Sequence, residues 1–293
     1  MIRVACFVML MMGLGIGTAP AAEPGSAERP LTMMFVPSGE AQVILKGGEE
    51  ISRRLTAVTG LHFKSSIATS YAAVVEAMGA GKVDIGWLAP FAYVLAKERY
   101  GVELLFIVQR FGSPFYRGQI VTRADSGIRS LKDLAGKRFA FVDPASTSGH
   151  LYPKALLRAQ GFSPQSHLGA TVFAGSHNAV ILSVLKGEVD AGATYDDARA
   201  ELVKAFPGIF EKIRVIAHTR EIPNDTVSVR KELSADIRQR IKEGLVHLAK
   251  TPEGSKVLKR TYAISGFMDF DGLYDPVREA GRLLDVDPSK LNP

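Results

Sequence analysis

Short runs of apolar residues alternate with longer stretches in which apolar residues recur every three or four positions. The short runs predict buried strands, and the longer stretches predict amphipathic helices. Strands are predicted over residues 31–36, 62–67, 83–88, 103–109, 118–123, 138–142, 171–174 and 189–194. Helices are predicted over residues 43–58, 71–78, 90–99, 130–134, 151–159, 179–185 and 235–250. This alternation is typical of α/β architecture with largely parallel sheets.

Two segments of the chain have similar sequence patterns. Residues 78–86 and 185–192 each combine a helix end, a glycine, the dipeptide Val-Asp and a strand. This internal similarity predicts two doubly wound α/β lobes that face each other across a cleft, with ligands bound beyond the carboxyl ends of the strands. We expect residues 28–118 and 223–293 to form lobe 1 and residues 119–222 to form lobe 2. The chain is expected to cross between them near Gly118 and near Pro223.

The N-terminus has the composition of an export signal. Arg3 precedes an apolar run over residues 4–16, which is shorter than the roughly 20 residues that a transmembrane helix needs. Residues 19–22 then fit a small-residue cleavage site. Residues 1–22 are therefore predicted to be a signal peptide, cut after Ala21 or Ala22. The single cysteine, Cys6, lies inside this segment, so the mature protein is expected to have no thiol and no disulfide.

The composition argues against some classes of function. The 293 residues include 36 Lys and Arg against 30 Asp and Glu, and the basic residues are dispersed rather than interleaved with aromatics. This pattern does not favour a nucleic-acid partner. The formal net charge of +6 instead suits small anionic ligands. The six histidines form no metal-binding motif such as HExxH, so we predict neither a metal nor a cofactor.

The clearest chemical signal is a run of hydroxyl residues between a predicted strand and a predicted helix. Ser146, Thr147 and Ser148 lie between Pro144 and Gly149. The first turn of a helix has unpaired N–H groups and the positive end of the helix dipole, and hydroxyls add donors for tetrahedral oxygens. The run therefore favours an anion site. The alternative is an ordinary N-cap, which Ser and Thr form at many helices.

Several motifs along the chain together resemble a known family. They are Tyr71 at a helix start, Val83-Asp84-Ile85-x-Trp87, Asp143-Pro144-x-Ser146-Thr147-Ser148-Gly149, Gly175-Ser176-His177, Val189-Asp190 and Ile222-Pro223-Asn224-Asp225. The chain resembles the phosphonate-, phosphite- and phosphate-binding proteins of ABC importers, within the bilobal type II periplasmic-binding superfamily. The resemblance implies a monomeric periplasmic receptor that delivers a small phosphorus oxyanion to an ABC permease in the membrane.

The resemblance also implies roles for individual residues. Ser146, Thr147 and Ser148 match the family's cradle for the phosphorus oxygens, and His177 matches a histidine donor. Tyr71 matches a phenolic donor. Without the family, His177 would be interpreted as a loop or cap histidine, and Tyr71 would fit a half-buried aromatic at a lobe edge equally well.

Asp225 matches a family carboxylate that accepts a hydrogen bond from a protonated ligand oxygen or from another donor. A carboxylate beside an anion is unfavourable unless one of the two carries a proton. Asp225 would therefore select ligands that bear a P–OH group and reject sulfate. The alternative is a turn aspartate, because Pro223, Asn224 and Asp225 have a common turn composition.

The sequence departs from the family pattern near the tryptophan. Some phosphonate binders have a tyrosine where this chain has Leu88, so one polar contact to the phosphorus group is expected to be missing or to come from Tyr93 or Tyr195. Asp197 falls where an aminophosphonate binder has an acid for the ligand's ammonium. With the adjacent Asp196 it could equally compensate a helix dipole.

Two other functions are consistent with the sequence. The same fold could present its ligand to a membrane signalling partner instead of a permease. A hydrolase would need Ser146, His177 and Asp225 as a catalytic triad, but the serine is not on a Gly-x-Ser-x-Gly elbow. We therefore expect a binding protein rather than an enzyme.

Overall fold

The computed structural model describes residues 22–284, and the predicted signal peptide lies outside this range except for Ala22. The strands are β1 (Leu31–Phe35), β2 (Phe63–Ile67), β3 (Ile85–Leu88), β4 (Glu103–Arg110), β5 (Phe115–Arg123), β6 (Phe139–Phe141), β7 (Thr171–Phe173), β8 (Ala191–Tyr195), β9 (Ile213–Pro223), β10 (Thr226–Val229) and β11 (Ile264–Met268). The helices are α1 (Ala41–Thr59), α2 (Tyr71–Gly79), α3 (Pro90–Tyr100), α4 (Tyr152–Ala159), α5 (Pro164–His167), α6 (His177–Leu185), α7 (Ile209–Lys212), α8 (Ala235–Lys250), α9 (Pro252–Tyr262) and α10 (Asp275–Leu283).

The strands form two sheets, and the fold is a bilobal α/β fold. The first sheet has the order β11-β4-β10-β3-β1-β2, and the second has the order β7-β6-β8-β5-β9. The chain passes from the first sheet to the second at residues 111–114, ahead of Gly118, and returns at residues 224–225. Phe111 in the first crossing has φ 51° and is 91% exposed.

The expectation of largely parallel sheets is wrong. β1 pairs in parallel with β2 and β3, and β6 pairs in parallel with β7 and β8. The pairs of β10 with β3 and β4, of β11 with β4, and of β5 with β8 and β9 are antiparallel. The crossings explain the difference, because a strand that enters a sheet from the cleft runs opposite to the strands that end at the cleft. β5 and β10 both enter in this way.

Serine side chains begin two of the helices that border the cleft. Ser70 accepts a hydrogen bond from the N–H of Ala73 at the start of α2, and Ser176 accepts one from the N–H of Ala179 at the start of α6. These N-caps satisfy backbone donors that have no partner inside the helix. α6 therefore begins at His177, two residues before the predicted start.

The hydroxyl run begins a helix earlier than predicted. A π-helical turn spans Thr147–Leu151 and continues into α4, whereas the predicted helix started at residue 151. Ser146 is the N-cap and accepts a hydrogen bond from the N–H of Gly149 at 3.1 Å. The helical segment therefore begins inside the hydroxyl run rather than after it.

The core continues across both sheets behind the cleft. Phe91 on α3, Leu151 and Tyr274 are almost fully buried in one apolar cluster that includes residues from each sheet. α8 and α9 pack against α1, and α10 packs against α3 and α4. Within residues 22–284, no helix combines the length and the apolarity that crossing a bilayer requires.

Candidate functional site

A cavity of about 1440 Å³ lies between the two sheets, at the ends of strands. Residues from both sheets line it. Those nearest to the predicted site are Tyr71, Arg110, Tyr116, Ser146, Ser148, His177, Tyr195, Asp225 and Tyr262. The cavity thus brings together most of the residues that the sequence singled out, together with three that it did not.

Two of the three predicted hydroxyls face this cavity. Ser146 and Ser148 line it and are almost fully buried, at 1% and 2% exposure. Thr147 is not among the lining residues, because its Oγ1 accepts a hydrogen bond of 2.8 Å from the N–H of Phe91. The structure thus gives the Thr147 hydroxyl an acceptor role across the cleft, while its place in the cradle stays a prediction.

Glycine at position 118 lets β5 approach the hydroxyl turn closely. A Cβ atom there would lie 3.0 Å from the carbonyl oxygen of Ser148 and 3.0 Å from the Thr219 side chain. A larger residue would push β5 away from the turn. Gly118 therefore helps to fix the position of Ser148 relative to Tyr116, the strand neighbour that also lines the cavity.

The hydrogen bonds of His177 determine its tautomer. The backbone N–H of Tyr195 donates to Nδ1 at 3.3 Å, and the Thr194 hydroxyl lies 2.9 Å from the same atom. An N–H can only donate, so Nδ1 is the acceptor and the ring proton sits on Nε2. Burial, with a smaller contribution from Arg110, lowers the pKa of His177 to about 3. At neutral pH the ring is therefore a neutral Nε2–H donor.

Tyr71 offers a phenolic donor on the opposite wall. The residue is 1% exposed, and its hydroxyl is buried without a hydrogen-bond partner. Burial and the nearby Asp225 raise its pKa well above the usual value, so the phenol keeps its proton. A buried hydroxyl without a partner is unusual in folded proteins. Its position in the cavity favours a ligand as the missing partner.

Sequence reasoning missed two further tyrosines. Tyr116 on β5 and Tyr262 at the end of α9 both line the cavity, and burial raises the pKa of each phenol. The Tyr262 hydroxyl donates to the carbonyl oxygen of Val36 at 2.8 Å. No local motif marks either residue, since each reaches the cavity only through the packing of distant elements.

Sequence reasoning also missed Arg110, the partner of Asp225. Nη2 of Arg110 lies 2.6 Å from Oδ2 of Asp225, and both side chains are 20% exposed. Burial alone would lower the pKa of Arg110, but the Asp225 carboxylate holds it above its usual value. Asp225 therefore enters the cavity as half of an ion pair, which reduces the repulsion between its carboxylate and a bound anion.

Tyr195 and Asp197 have partners of their own. The Tyr195 ring contacts His177 edge-on, with ring centroids 4.7 Å apart, while its hydroxyl donates to Oε1 of Glu201 at 2.6 Å. Asp197 is 58% exposed and pairs with Arg199 at 2.7 Å. Asp197 also lines the cavity and pairs with Arg199 through Oδ1 alone, so its role toward a ligand ammonium stays a prediction.

Tyr93 does not supply the contact that Leu88 lacks. Its ring packs against Tyr274 with centroids 5.0 Å apart, and its hydroxyl donates to Oδ1 of Asp271 at 2.7 Å. Tyr93 is not among the lining residues.

Comparison with known proteins assigns the family. A sequence profile described as "ABC transporter, phosphonate, periplasmic substrate-binding protein" matches residues 33–272. The chain belongs to this family. The members of this phosphonate-binding family are substrate-binding components of transporters and not enzymes.

Individual relatives agree with this assignment. The phosphate-import protein PhnD of Mycolicibacterium smegmatis is 35% identical over 177 residues, which are 57% of this chain and 55% of that protein. The phosphonates-binding periplasmic protein of Escherichia coli K12 is 31% identical over 206 residues, 69% of this chain and 61% of that protein. The matches therefore span somewhat over half the length of these curated relatives.

A solved structure shares the fold. PhnD1 of Prochlorococcus marinus MIT 9301, determined in complex with methylphosphonate, superposes with a TM-score of 0.79 at 23% identity. The superposition covers 87% of this chain and 98% of that one. This likeness confirms the type II periplasmic-binding fold that the sequence predicted.

The geometry of the site also argues against a hydrolytic triad. In a triad the aspartate orients the histidine through Nδ1, but here Nδ1 of His177 is occupied by Thr194 and the N–H of Tyr195. Asp225 pairs with Arg110 instead. Within residues 22–284, no three His, Cys, Asp or Glu side chains come together in a way that could hold a metal ion.

Proposed function

We propose that the protein is an extracytoplasmic receptor that binds a small phosphorus oxyanion in the cleft and delivers it to an ABC permease. The observation that carries the proposal is the convergence of neutral donors around one cavity: the partnerless Tyr71 hydroxyl, the Nε2–H of His177 and the Ser146–Ser148 turn. The receptor acts in the periplasm as a monomer after its signal peptide is removed.

Neutral donors suit an anion that must be both bound and released. Hydroxyl and N–H groups at a helix start bind oxygens without placing a full positive charge against them. Each hydrogen bond to a charged oxygen contributes about 1.5 to 3 kcal/mol. The first-turn N–H groups that follow Ser146 add further donors, since such groups have no acceptor within the helix.

Asp225 gives the site a preference for protonated oxyanions. Arg110 occupies Oδ2 of Asp225, which leaves Oδ1 as an acceptor at the cavity. A phosphonate, phosphite or phosphate with a P–OH group can donate to it. Sulfate has no proton to donate at neutral pH, so a carboxylate oxygen disfavours it.

The relatives support the same class of ligand. Their names specify phosphate import and phosphonate binding, and methylphosphonate occupies the solved relative. We therefore propose these oxyanions, and phosphite, as the candidates for this chain.

The contacts across the cleft describe a closed receptor. The N–H of Tyr71 donates to Oδ2 of Asp143 at 3.1 Å, and the N–H of Phe91 donates to Oγ1 of Thr147 at 2.8 Å. The N–H of His177 donates to the carbonyl oxygen of Ser38 at 3.1 Å. Each bond joins an element of the first sheet to one of the second. We propose that ligand binding favours this closed arrangement and that the permease binds it.

Isothermal titration calorimetry tests the proposal. The chain without residues 1–22 is titrated with phosphite, phosphate, methylphosphonate and sulfate at pH 6 and pH 8. Saturable binding of at least one phosphorus ligand, with no binding of sulfate, is the expected result. Binding of sulfate alone, or of none of the four, contradicts the proposed ligand class.

A further inference from the structure

The cavity holds more unsatisfied polar groups than the oxyanion site uses. Seven side-chain atoms in residues 22–284 are buried without a hydrogen-bond partner, and five of them belong to residues that line the cavity. One is the Tyr71 hydroxyl. The other four are Nε2 and Oε1 of Gln119, Oδ1 of Asn178 and Nη1 of Arg214.

The buried amide of Gln119 is the strongest evidence for a missing partner in the cavity. Its side chain is only 1% exposed, yet both the donor and the acceptor of its amide lack a partner. Nearly all buried side-chain amides in folded proteins have hydrogen-bond partners, because burial removes the water that would otherwise satisfy them. A partner for Gln119 must therefore come from outside the chain.

The strand register places Gln119 beside the proposed oxyanion site. Gln119 on β5 is the direct partner of Thr194 on β8, so their side chains are neighbours on one face, with Cβ atoms about 4.5 to 5.5 Å apart. Thr194 contacts Nδ1 of His177 at 2.9 Å. Asn178 follows His177 on α6, which packs on β5. Gln119 and Asn178 thus both line the cavity close to His177, one through Thr194 and the other through the chain.

We propose that Gln119 and Asn178 form a subsite for an uncharged, hydrogen-bonding substituent on the ligand, so that the cargo is an organophosphorus anion such as a hydroxyalkylphosphonate. This inference rests on the proposed function, since the oxyanion end of the ligand is held by the Ser146–Ser148 turn and His177.

The chemistry of the subsite specifies the substituent. A glutamine amide presents one donor group and one acceptor, and a hydroxyl can form hydrogen bonds with both at once. Neither Gln119 nor Asn178 has a charge to balance an ammonium or a carboxylate. Asp197, the acid expected to bind an ammonium, is paired with Arg199. The cavity of about 1440 Å³ also exceeds the 300 to 1,000 Å³ of usual small-molecule sites, which leaves room for an organic arm.

Matched ligand pairs test the subsite. The Kd of ethylphosphonate is compared with that of 2-hydroxyethylphosphonate, and the Kd of propylphosphonate with that of 3-hydroxypropylphosphonate. Each pair differs by one hydroxyl. The quantity of interest is the ratio of the two Kd values within one protein, measured for the wild type, Gln119→Met and Asn178→Ala. Met keeps the length of Gln without its hydrogen-bonding groups.

The wild type is expected to prefer the hydroxylated member of at least one pair by tenfold or more, since a site built to bind a hydroxyl rejects the analogue without it. Gln119→Met should bring that ratio close to one. If Gln119→Met does not fold, Asn178→Ala decides by lowering the ratio at least threefold.

Two results overturn the inference. One is a wild-type ratio close to one in both pairs, and the other is a high ratio that neither variant lowers. In both cases water satisfies Gln119, while binding of the alkylphosphonates still supports the proposed function. If the wild type binds none of the four ligands but binds phosphate or phosphite, the inference also fails and the proposed function stands; if it binds no phosphorus ligand at all, the proposed function itself is contradicted.

Discussion

At the scale of single residues, His177 shows how burial selects one chemical form. The ring could in principle be a cation or either neutral tautomer. The N–H of Tyr195 and the hydroxyl of Thr194 occupy Nδ1, and burial removes the stabilisation of the charged form by water. The ring is therefore held as a neutral Nε2–H donor, and this form can bind an oxyanion oxygen.

Removal of that donor should weaken ligand binding. We expect His177→Leu to raise the Kd for the phosphorus ligand tenfold or more, because one charge-assisted hydrogen bond is worth about 1.5 to 3 kcal/mol. Ser148→Ala is expected to act in the same direction. His177→Gln, which keeps an N–H donor, should recover part of the loss in calorimetric titrations. Unchanged affinity in both His177→Leu and Ser148→Ala would remove these residues from the proposed site.

The same burial makes folding stability depend on pH. The pKa of His177 is lowered to about 3 and that of His150, by burial and by Lys154, to about 4, whereas histidine in an unfolded chain has a pKa near 6.5. Below pH 6.5 the unfolded state therefore binds more protons, and stability falls as the pH falls. The expected loss is about 1.4 kcal/mol per pH unit for each histidine that stays neutral.

Urea unfolding between pH 7 and pH 4.5 checks this dependence. His177→Gln and His150→Gln should each give a shallower fall in stability than the wild type. His247→Gln, at an exposed position on α8, controls for the removal of an imidazole. Equal slopes in all four proteins would contradict the assignment of His177 and His150 as buried neutral side chains.

At the scale of elements, two helices of the first sheet are capped from the other side of the cleft. Asp143 accepts from the first N–H of α2, and Thr147 accepts from the N–H of Phe91 in the first turn of α3. A cap contributes about 0.5 to 2 kcal/mol to a helix. These caps form only when the two sheets are close together, so their free energy stabilises the closed form.

Thr147→Val should therefore weaken ligand binding without touching the ligand. Valine has the shape of threonine but cannot accept the hydrogen bond from Phe91, so closure loses about 1 kcal/mol and the Kd should rise roughly fivefold. Ser234→Ala removes the cap of α8, far from the cleft, and serves as the matched control. It should lower the melting temperature and leave the Kd unchanged. An unchanged Kd in Thr147→Val would contradict a role for this cap in closure.

At the scale of the whole molecule, Arg110 joins the two crossings between the sheets. It ends β4 just before the first crossing and donates to Oδ1 of Asn224 at 2.7 Å and to Oδ2 of Asp225 at 2.6 Å in the second. Its Nε donates to the carbonyl oxygen of Tyr262 at 2.8 Å. Arg110 thus both pairs with the Asp225 carboxylate at the cavity and links the two crossings between the sheets.

A double-mutant cycle measures this link. Arg110→Gln and Asp225→Asn each leave a partner without its charge, so each should lower the free energy of unfolding, by up to about 3 kcal/mol for this partly buried pair. The double variant should lose less than the sum of the two, as residues in contact do. Urea denaturation of the four proteins gives the coupling, and additive losses would show that the two residues do not act together.

The sequence allowed more of the fold than of the site to be predicted. Local patterns were enough for the strands up to β8 and for the starts of α2, α3 and α8, because each depends on neighbours in the chain. The antiparallel strands were missed, since strand direction depends on where the chain crosses between sheets. Arg110, Tyr116 and Gln119 were missed because they meet the cavity only through packing. The hydrogen bond from the N–H of Phe91 to the Thr147 hydroxyl was also missed, since it joins elements on opposite sides of the cleft.

The exposed Phe111 in the first crossing has a practical consequence. The side chain is 91% exposed at the edge of the cavity, and the only cysteine in the sequence is Cys6. A chain that starts at Ala22 therefore contains no thiol, and Phe111→Cys would introduce a single site for a maleimide dye. We expect ligand-induced closure to change the exposure of a dye at this position to water, so its emission would give an optical assay for the cargo in culture media or soil extracts.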